Sequence, residues 1–454
     1  VLVLEAAETI GGGCRTAELT EPGVLHDICS AIHPLGRGSP FFERLPLAKH
    51  GLEWIEPPIQ VAHPLDGGRA ALAWRDVAKT AKGFPDERDA KRYRSWFEPL
   101  ARDWPIILDA LFGPANPLKV LRRPVSLARF GLPALLPGLT LARRFRSEEA
   151  QALIGGCAAH SIQPLEYPGS AAFGLGLLIS AHAVGWPVPR GGSQRLADAL
   201  AAHLRELGGE IETGHRVDDL DELPPHDALL LDLTPRQILE LAGDRFEGWS
   251  GRAYKAQLRR YRYGPGSFKL DLLLDGPIPW ENPLVSQAGT VHLGGTLEEI
   301  ARHERAVAGG RYTRNPFVLL SQPSSFDASR APDGRHVVWS YCHVPNGSTA
   351  DMTQLIEAQI ERFAPGFGER IVARHTMTAM QLEQHNANYV GGDINGGMQH
   401  LTQQLTRPAV RLDPYSTPDP SIFVCSSSTP PGGGVHGLCG YWAARSALRG
   451  ALSA

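Results

Sequence analysis

The chain has 454 residues, of which 43% are hydrophobic and 20% charged, a length and balance that favour more than one ordinary globular domain. Lys+Arg 45 against Asp+Glu 48 leave a net charge of −3, which gives no electrostatic footing for nucleic acid. The six cysteines are scattered with no Cys-x-x-Cys, which argues against a disulfide framework, a zinc site or a dithiol redox centre and fits a reducing, cytoplasmic setting.

The first element is the apolar run Val1–Leu4, closed by Glu5 and followed by Gly11-Gly12-Gly13-Cys14-Arg15-Thr16. An apolar strand ending in an acid is how the second strand of a dinucleotide-binding βαβ unit reads, with the acid on the ribose hydroxyls. The phosphate turn of such a unit lies about 20 residues before the acid. The expectation is therefore a first strand and phosphate loop missing from the front of this chain. Three glycines let backbone N–H groups crowd an anion, and Arg15 adds a fixed positive charge for a diphosphate. An exposed glutamate beside a flexible loop is the plainer alternative; the linked spacing of acid and glycines favours the nucleotide site.

From about 85 to 190 the chain turns helical and Arg-rich. Gly131–Ala142 is apolar, short, broken by proline and flanked by arginines. A buried segment is expected there, with peripheral membrane contact as the rival; no stretch reads as a membrane-spanning helix. Ser170–Val188 reads as a buried helix and its exit. Ser193 is placed to cap a helix whose Leu196, Leu200, Leu204 and Leu207 share a face, and Gly208-Gly209 ends it. A strand at 210–213, Val217, and a fully buried strand within Ala228–Leu233 follow.

Residues 251–385 read mostly as antiparallel sheet. Phe268, Leu270, Leu272 and Leu274 alternate with Lys269, Asp271 and Leu273. Lys269 and Asp271 are expected as a surface ion pair, with a lysine directed at a cofactor ring as the sharper alternative. Thr296–Glu299 has the form of a capping box, and Asp333-Gly334 that of a hairpin-type turn. No histidine shows metal-type spacing, so no metal is expected, and no Gly-x-Ser-x-Gly is present.

The chain closes with the strand Ile422–Ser426, a turn rich in glycine (Gly432, Gly433, Gly434, Gly437), and a helix. Such a turn lets a flat ring approach the backbone, and the helix start offers free N–H groups and partial positive charge, which suits the anionic side of a reduced flavin. His436 lies inside this turn and is a weak acid–base candidate, as is Lys269. The two interleaved textures imply an α/β fold. A discontinuous Rossmann-like FAD-binding domain (1–80, 190–250, 385–454) would carry an inserted α+β substrate domain (81–189, 251–384).

In this order, Glu5, Gly-Gly-x-x-Arg-Thr and Thr429-Pro-Pro-Gly-Gly-Gly-Val-His-Gly, the chain resembles the phytoene desaturase-related FAD oxidoreductases of the amine-oxidase-like flavoprotein group. The likeness is nearest to the branch of the pyridine nucleotide-disulfide oxidoreductase domain proteins. It continues through Trp186–Gly192, Leu231–Pro235, Tyr263–Leu274, His292–Thr296, Tyr341–Gly347 and Asn388–Gly397. It implies that Glu5 binds the adenosine ribose, that Gly12, Gly13, Arg15 and Thr16 lie along the diphosphate, and that Val217 meets the adenine. Gly433, Gly434, Val435 and His436 would border the flavin ring. The departure is the absent Gly-x-Gly-x-x-Gly loop. The implied activity is FAD-dependent hydride removal from a mainly apolar, isoprenoid-like small molecule, with oxygen, a quinone or a nicotinamide as electron acceptor. A flavin-dependent isomerase, an amine oxidase and a non-catalytic prenyl- or lipid-binding relative remain as alternatives.

Overall fold

Seven strands make the largest layer of the computed structural model, which describes residues 1–113 and 122–453. Their spatial order is Ile371–Met377, Gly266–Leu274, His336–Val344, Val318–Ser321, Ala288–Leu293, Ile59–Leu65 and Arg69–Trp74. All neighbours run antiparallel except Ala288–Leu293 beside Ile59–Leu65, which are parallel. Strand alternation sorts the side chains onto two faces. Phe268, Leu270, Leu272 and Leu274 join Val338, Cys342 and Val344 against Ile356, Ile360 and Phe363 from the helical segment after Met352. On the other face Trp339, Tyr341, Leu319 and Val61 lie under the helices Glu148–Ala159 and Ser170–Ala183. Each leucine so buried contributes about 1.5–3 kcal/mol. Because both faces are covered, the sheet is a core wall, and polar groups on it are buried with it.

The expected domain boundary near residue 80 moves forward, since Ile59–Leu65 and Arg69–Trp74 belong to this sheet. All seven residues of Ile59–Leu65 are buried, and the strand bonds Ala288–Leu293 on one edge and Arg69–Trp74 on the other.

The Rossmann-like layer consists of two parallel pairs, Leu2–Leu4 with Glu210–Glu212 and Ile422–Val424 with Leu229–Leu231. The helix Gln194–Glu206 leads into the second strand of the first pair, and Gly208 in the left-handed region (φ +84°) turns the chain between them. Leu229–Leu231 is not fully buried as expected: in its two-stranded sheet it has a neighbour on one edge alone, and Leu230 is 38% exposed. Ser193 precedes its helix but does not cap it with its side chain. Its hydroxyl donates to Ser30 O, while the helix start is capped from afar: Asp27 accepts from Ser193 N (2.7 Å) and Thr16 Oγ1 from Gln194 N (3.1 Å). The expected features Thr296/Glu299 capping box and buried helix Ser170–Ala183 are present. Within Gly131–Ala142, Gly138, Leu141 and Ala142 are buried, whereas Leu132 and Leu135 are exposed. No helix among the described residues is long and apolar enough to cross a membrane.

Candidate functional site

Glu5 leaves the strand Leu2–Leu4 with its backbone still in register, its N–H donating to Glu212 O and its carbonyl accepting from His215 N, both at 2.9 Å. Its Oε1 takes the Ala7 N–H (2.8 Å) and Arg15 Nη2 (3.2 Å), and its side chain stays 28% exposed. Arg15 is held a second time by Thr9 O, so its guanidinium is fixed beside the acid at the mouth of the glycine turn. Val217 lies with Leu2, Leu4, Glu212, His215 and Leu223 around a cavity of about 130 Å³ beside this strand. Gly11 and Gly12 have φ of +112° and +51°, conformations that favour glycine. Thr16 turns inward, donating to Asp27 Oδ1 at 2.7 Å.

Gly13 is pressed against the rest of the molecule: a Cβ there would collide with the Tyr389 hydroxyl, and Cys29 Cβ lies 3.8 Å away. The Gly13 carbonyl accepts from Ser30 N (2.9 Å) and Ser30 Oγ (3.0 Å). Burial pushes the Cys14 thiol up to about 12 and raises Cys29 as well, so both stay protonated and neither is poised as a nucleophile.

The C-terminal turn packs on the same stretch of chain. Ser39 Oγ donates to His436 O at 2.7 Å, Gly36 Cα faces Val435 O, and a Cβ on Gly434 (φ +125°) would lie 2.8 Å from Leu35 Cδ1. Gly437 (φ +69°) opens the helix Leu438–Arg449. His436 is buried; its Nδ1 accepts from Leu438 N (3.0 Å) and its Nε2 faces Gly432 O (3.2 Å). Both ring nitrogens are thus engaged inside the turn, and burial lowers the ring's pKa to about 4. The ring braces the turn in its neutral form and keeps neither a lone pair nor a proton free. Arg407, which sequence reading missed, is 1% exposed beside Gly432; Nη1 donates to Ser427 O, while Nε and Nη2 are buried without a partner.

Lys269 is not a surface residue. It is 2% exposed, paired with the fully buried Asp271 and 5.1 Å from the Trp339 ring centroid. The surface-pair expectation failed because strands His336–Val344 and Ile371–Met377 cover both edges and helices cover this face. Register sets Lys269 opposite Tyr341 and Asp271 opposite Trp339. Burial lowers the Lys269 pKa, and Asp271 pulls it back. Further along the same face His292 Nε2 meets His160 Nε2 at 2.9 Å, with Trp186 edge-on to His160. Beside Lys269 on the same strand, Asp271 Oδ1 lies 3.8 Å from His26 Nδ1, so the segment that follows the Gly13 turn lies against the sheet. Trp339 and Arg407 carry no local sequence signal; Tyr341 and Tyr389 lie inside the Tyr341–Gly347 and Asn388–Gly397 stretches already singled out.

Glu5 with one free carboxylate oxygen, the two glycine turns, and a buried guanidinium with unpartnered N–H groups suit an anionic dinucleotide with a flat ring. No protein-family model matches the chain. A mouse protein, pyridine nucleotide-disulfide oxidoreductase domain-containing protein 2, is 26% identical over 528 residues, covering 98% of this chain and 89% of its own. The rat counterpart is 26% identical over 525 residues with the same coverage. An oxidoreductase from Methanosarcina mazei superposes with a TM-score of 0.60 at 16% identity, covering 99% of this chain and 94% of its own. Putrescine oxidase bound to putrescine gives 0.58 at 14% identity, covering 98% and 92%. The chain shares the fold of these two solved structures.

Proposed function

We propose that this protein is an FAD-dependent oxidoreductase that removes hydride from a mainly apolar small molecule. The observation that carries this reading is one stretch of chain, residues 26–39. It holds the first glycine turn through Ser30, the second through Ser39 and Leu35, and meets the substrate sheet through His26, whose Nδ1 lies 3.8 Å from Asp271 Oδ1. FAD bound between the turns would supply a hydride acceptor, and the fold would bring its ring to the face that carries Lys269 and Tyr341.

Each residue then has a stated part. Glu5 accepts from ribose hydroxyls through its free oxygen, and Arg15 and the N–H groups of Gly12 and Gly13 face the diphosphate. Val217 borders the adenine. Gly433, Gly434 and Val435 present backbone to the ring, with His436 holding their turn. Arg407 and the helix start at Leu438 favour negative charge near it. Lys269 holds a water or the substrate edge near the ring. Trp339, Tyr341, Leu319, Phe317 and Trp186 exclude water and orient an apolar substrate, which suits a hydride transfer that needs geometry more than a base. An amine oxidase is less well supported, because Asp271 on this face is already neutralised by Lys269 and offers no carboxylate for an ammonium.

The test is the protein expressed from its complete reading frame, examined for bound flavin by visible absorption. Yellow protein whose flavin bleaches anaerobically with an apolar, amine-free substrate, giving a product two hydrogens lighter, supports the reading. Colourless folded protein that takes up no added FAD overturns it. Unchanged product mass points to an isomerase.

A further inference from the structure

A line of polar side chains runs from Lys269 to the edge of the seven-stranded sheet. Lys269 Nζ pairs with Asp271 Oδ1. On the next strand His375 stands directly opposite Asp271, and its Nδ1 lies 3.8 Å from Asp271 Oδ2. That strand, Ile371–Met377, is the outermost at its end of the sheet. The side chains of Lys269 and Asp271 are 3% and 0% exposed, whereas that of His375 is 31% exposed. The three side chains therefore step from the proposed substrate face to solvent.

What this line lacks is a proton. Asp271 Oδ2 and His375 Nδ1 are both buried without a hydrogen-bond partner, although they face each other. At 3.8 Å they are a small ring rotation short of a hydrogen bond. With neither atom protonated, two lone pairs face each other; one proton between them satisfies both. The other groups around Asp271 do not provide it. His26 Nδ1 approaches the opposite oxygen, Oδ1, and its Nε2 is bonded to Thr20 Oγ1 at 2.8 Å. Burial lowers His26 to about 4, so this ring stays neutral. Asp27 is committed to Arg330, and Trp339, opposite Asp271 on its other edge, carries no charge. Val24 packs with Leu273, Val337 and Ala373 and closes the face beside Asp271. The way from Asp271 to water leads through the half-buried ring of His375.

We propose that Asp271 and His375 form a proton exit that connects Lys269 with solvent. For the origin of the proton this rests on the hydride-removal reading above. Dehydrogenation of a C–C bond releases one hydride and one proton. The hydride leaves with the electron pair of its C–H bond to the flavin, and the electron pair of the neighbouring C–H bond becomes the new double bond. The proton of that second bond goes to the Lys269 amine, the form that burial favours. Lys269 passes it to Asp271 Oδ1. A half-turn of the carboxyl group brings it to the Oδ2 side, where His375 Nδ1 accepts it. The His375 ring then turns its protonated nitrogen to water and returns neutral, and Lys269 is an amine again. Lys269 meets the substrate; Asp271 and His375 act through it and are positioning residues.

Two measurements on protein from its complete reading frame test the exit. The first follows the histidine ring signals by NMR against pH and needs neither flavin nor substrate. The His375 midpoint should fall by about one pH unit in Asp271→Asn, which removes the facing negative charge. It should rise in Lys269→Met, which leaves that charge unmasked. A midpoint that does not move in a folded variant overturns the proposal; should Asp271→Asn not fold, Lys269→Met decides. The second is stopped-flow reduction of the flavin by substrate. His375→Ala should slow it about tenfold at unchanged flavin content, and added imidazole should restore it. Arg374→Gln, on the same strand but paired with Glu357 on the opposite face, should leave it unchanged. Undiminished reduction in His375→Ala, or a loss that imidazole does not restore, overturns the exit. Protein that takes up no FAD counts against the hydride reading, and the NMR titration then decides the exit alone.

Discussion

Asp27 and Arg330 form a buried ion pair at 2.9 Å, both side chains 1% exposed or less, between chain segments some three hundred residues apart. The pair does more than neutralise itself. Asp27 also accepts from Thr16 and from Ser193 N, and Arg330 is held by Asp27 and Asp327, whose carboxylate also takes Gly191 N (2.7 Å). One network thus fixes the exit of the first glycine turn, the start of the helix Gln194–Glu206 and the loop before the strand His336–Val344.

Removing one partner leaves the other buried and uncompensated. Arg330→Met is expected to lower unfolding free energy by about 3–5 kcal/mol in urea titration. The double variant Asp27→Asn/Arg330→Met should recover much of that loss, because an amide oxygen can still cap Ser193. Equal losses in single and double variants would mean that the pair is not what the network depends on.

Gly13 and Tyr389 are set against each other so closely that an alanine at 13 would run into the Tyr389 hydroxyl. Gly13 does not have a positive φ, so the effect is steric and not conformational. Gly13→Ala should cost about 1–3 kcal/mol by overpacking and weaken FAD retention. Gly13→Ala/Tyr389→Phe removes the obstructing oxygen, and the ring carbon then stands 3.4 Å from the new methyl group, so stability should return. Melting temperature and flavin content of the three proteins check this, and a double variant as unstable as the single one would contradict it.

What the sequence made legible was local. The strand ending in Glu5, the glycine turns, the Thr296 capping box and the two faces of Gly266–Leu274 all depend on neighbours a few residues away. What it hid was set by distant chain. Alternation puts Lys269 and Asp271 on one face but cannot say that helices cover it. Ser193 has the composition of a cap, yet Thr16 and Asp27 do the capping. Ile59–Leu65 stands early in the chain and belongs to the later sheet because Ala288–Leu293 pairs with it in parallel. Glu304 and His343 are 39 residues apart and meet only because helix packs on strand.

Lys269 is the cation on the proposed substrate face, and Asp271 holds it there. If it positions a water or substrate beside the ring, Lys269→Met should slow flavin reduction by substrate about a hundredfold, the scale for loss of one preorganised donor. Flavin content should stay near stoichiometric, because none of the nucleotide contacts is touched. Stopped-flow reduction separates the two effects. Unchanged reduction with lowered stability would assign the lysine to packing alone.

The buried histidines make stability depend on pH in a definite direction. Burial is the first cause in each case, lowering His63 and His182 to about 4 and His160 to about 3 from an ordinary 6.5. These rings stay neutral in the fold while the unfolded chain takes up protons below 6.5. Unfolded chain therefore binds more protons in that window, and stability rises with pH there. The stabilisation is complete above about pH 6.5 and is lost as pH falls toward the folded values, by up to about 1.4 kcal/mol per pH unit for each ring. Urea unfolding between pH 8 and pH 5 should show little change down to about 6.5 and a steep loss below it, steeper than one proton explains because several rings share the window. His160→Gln, whose amide can still reach His292, should make the slope shallower. A flat profile down to pH 5 would mean that water or a counter-charge reaches these rings.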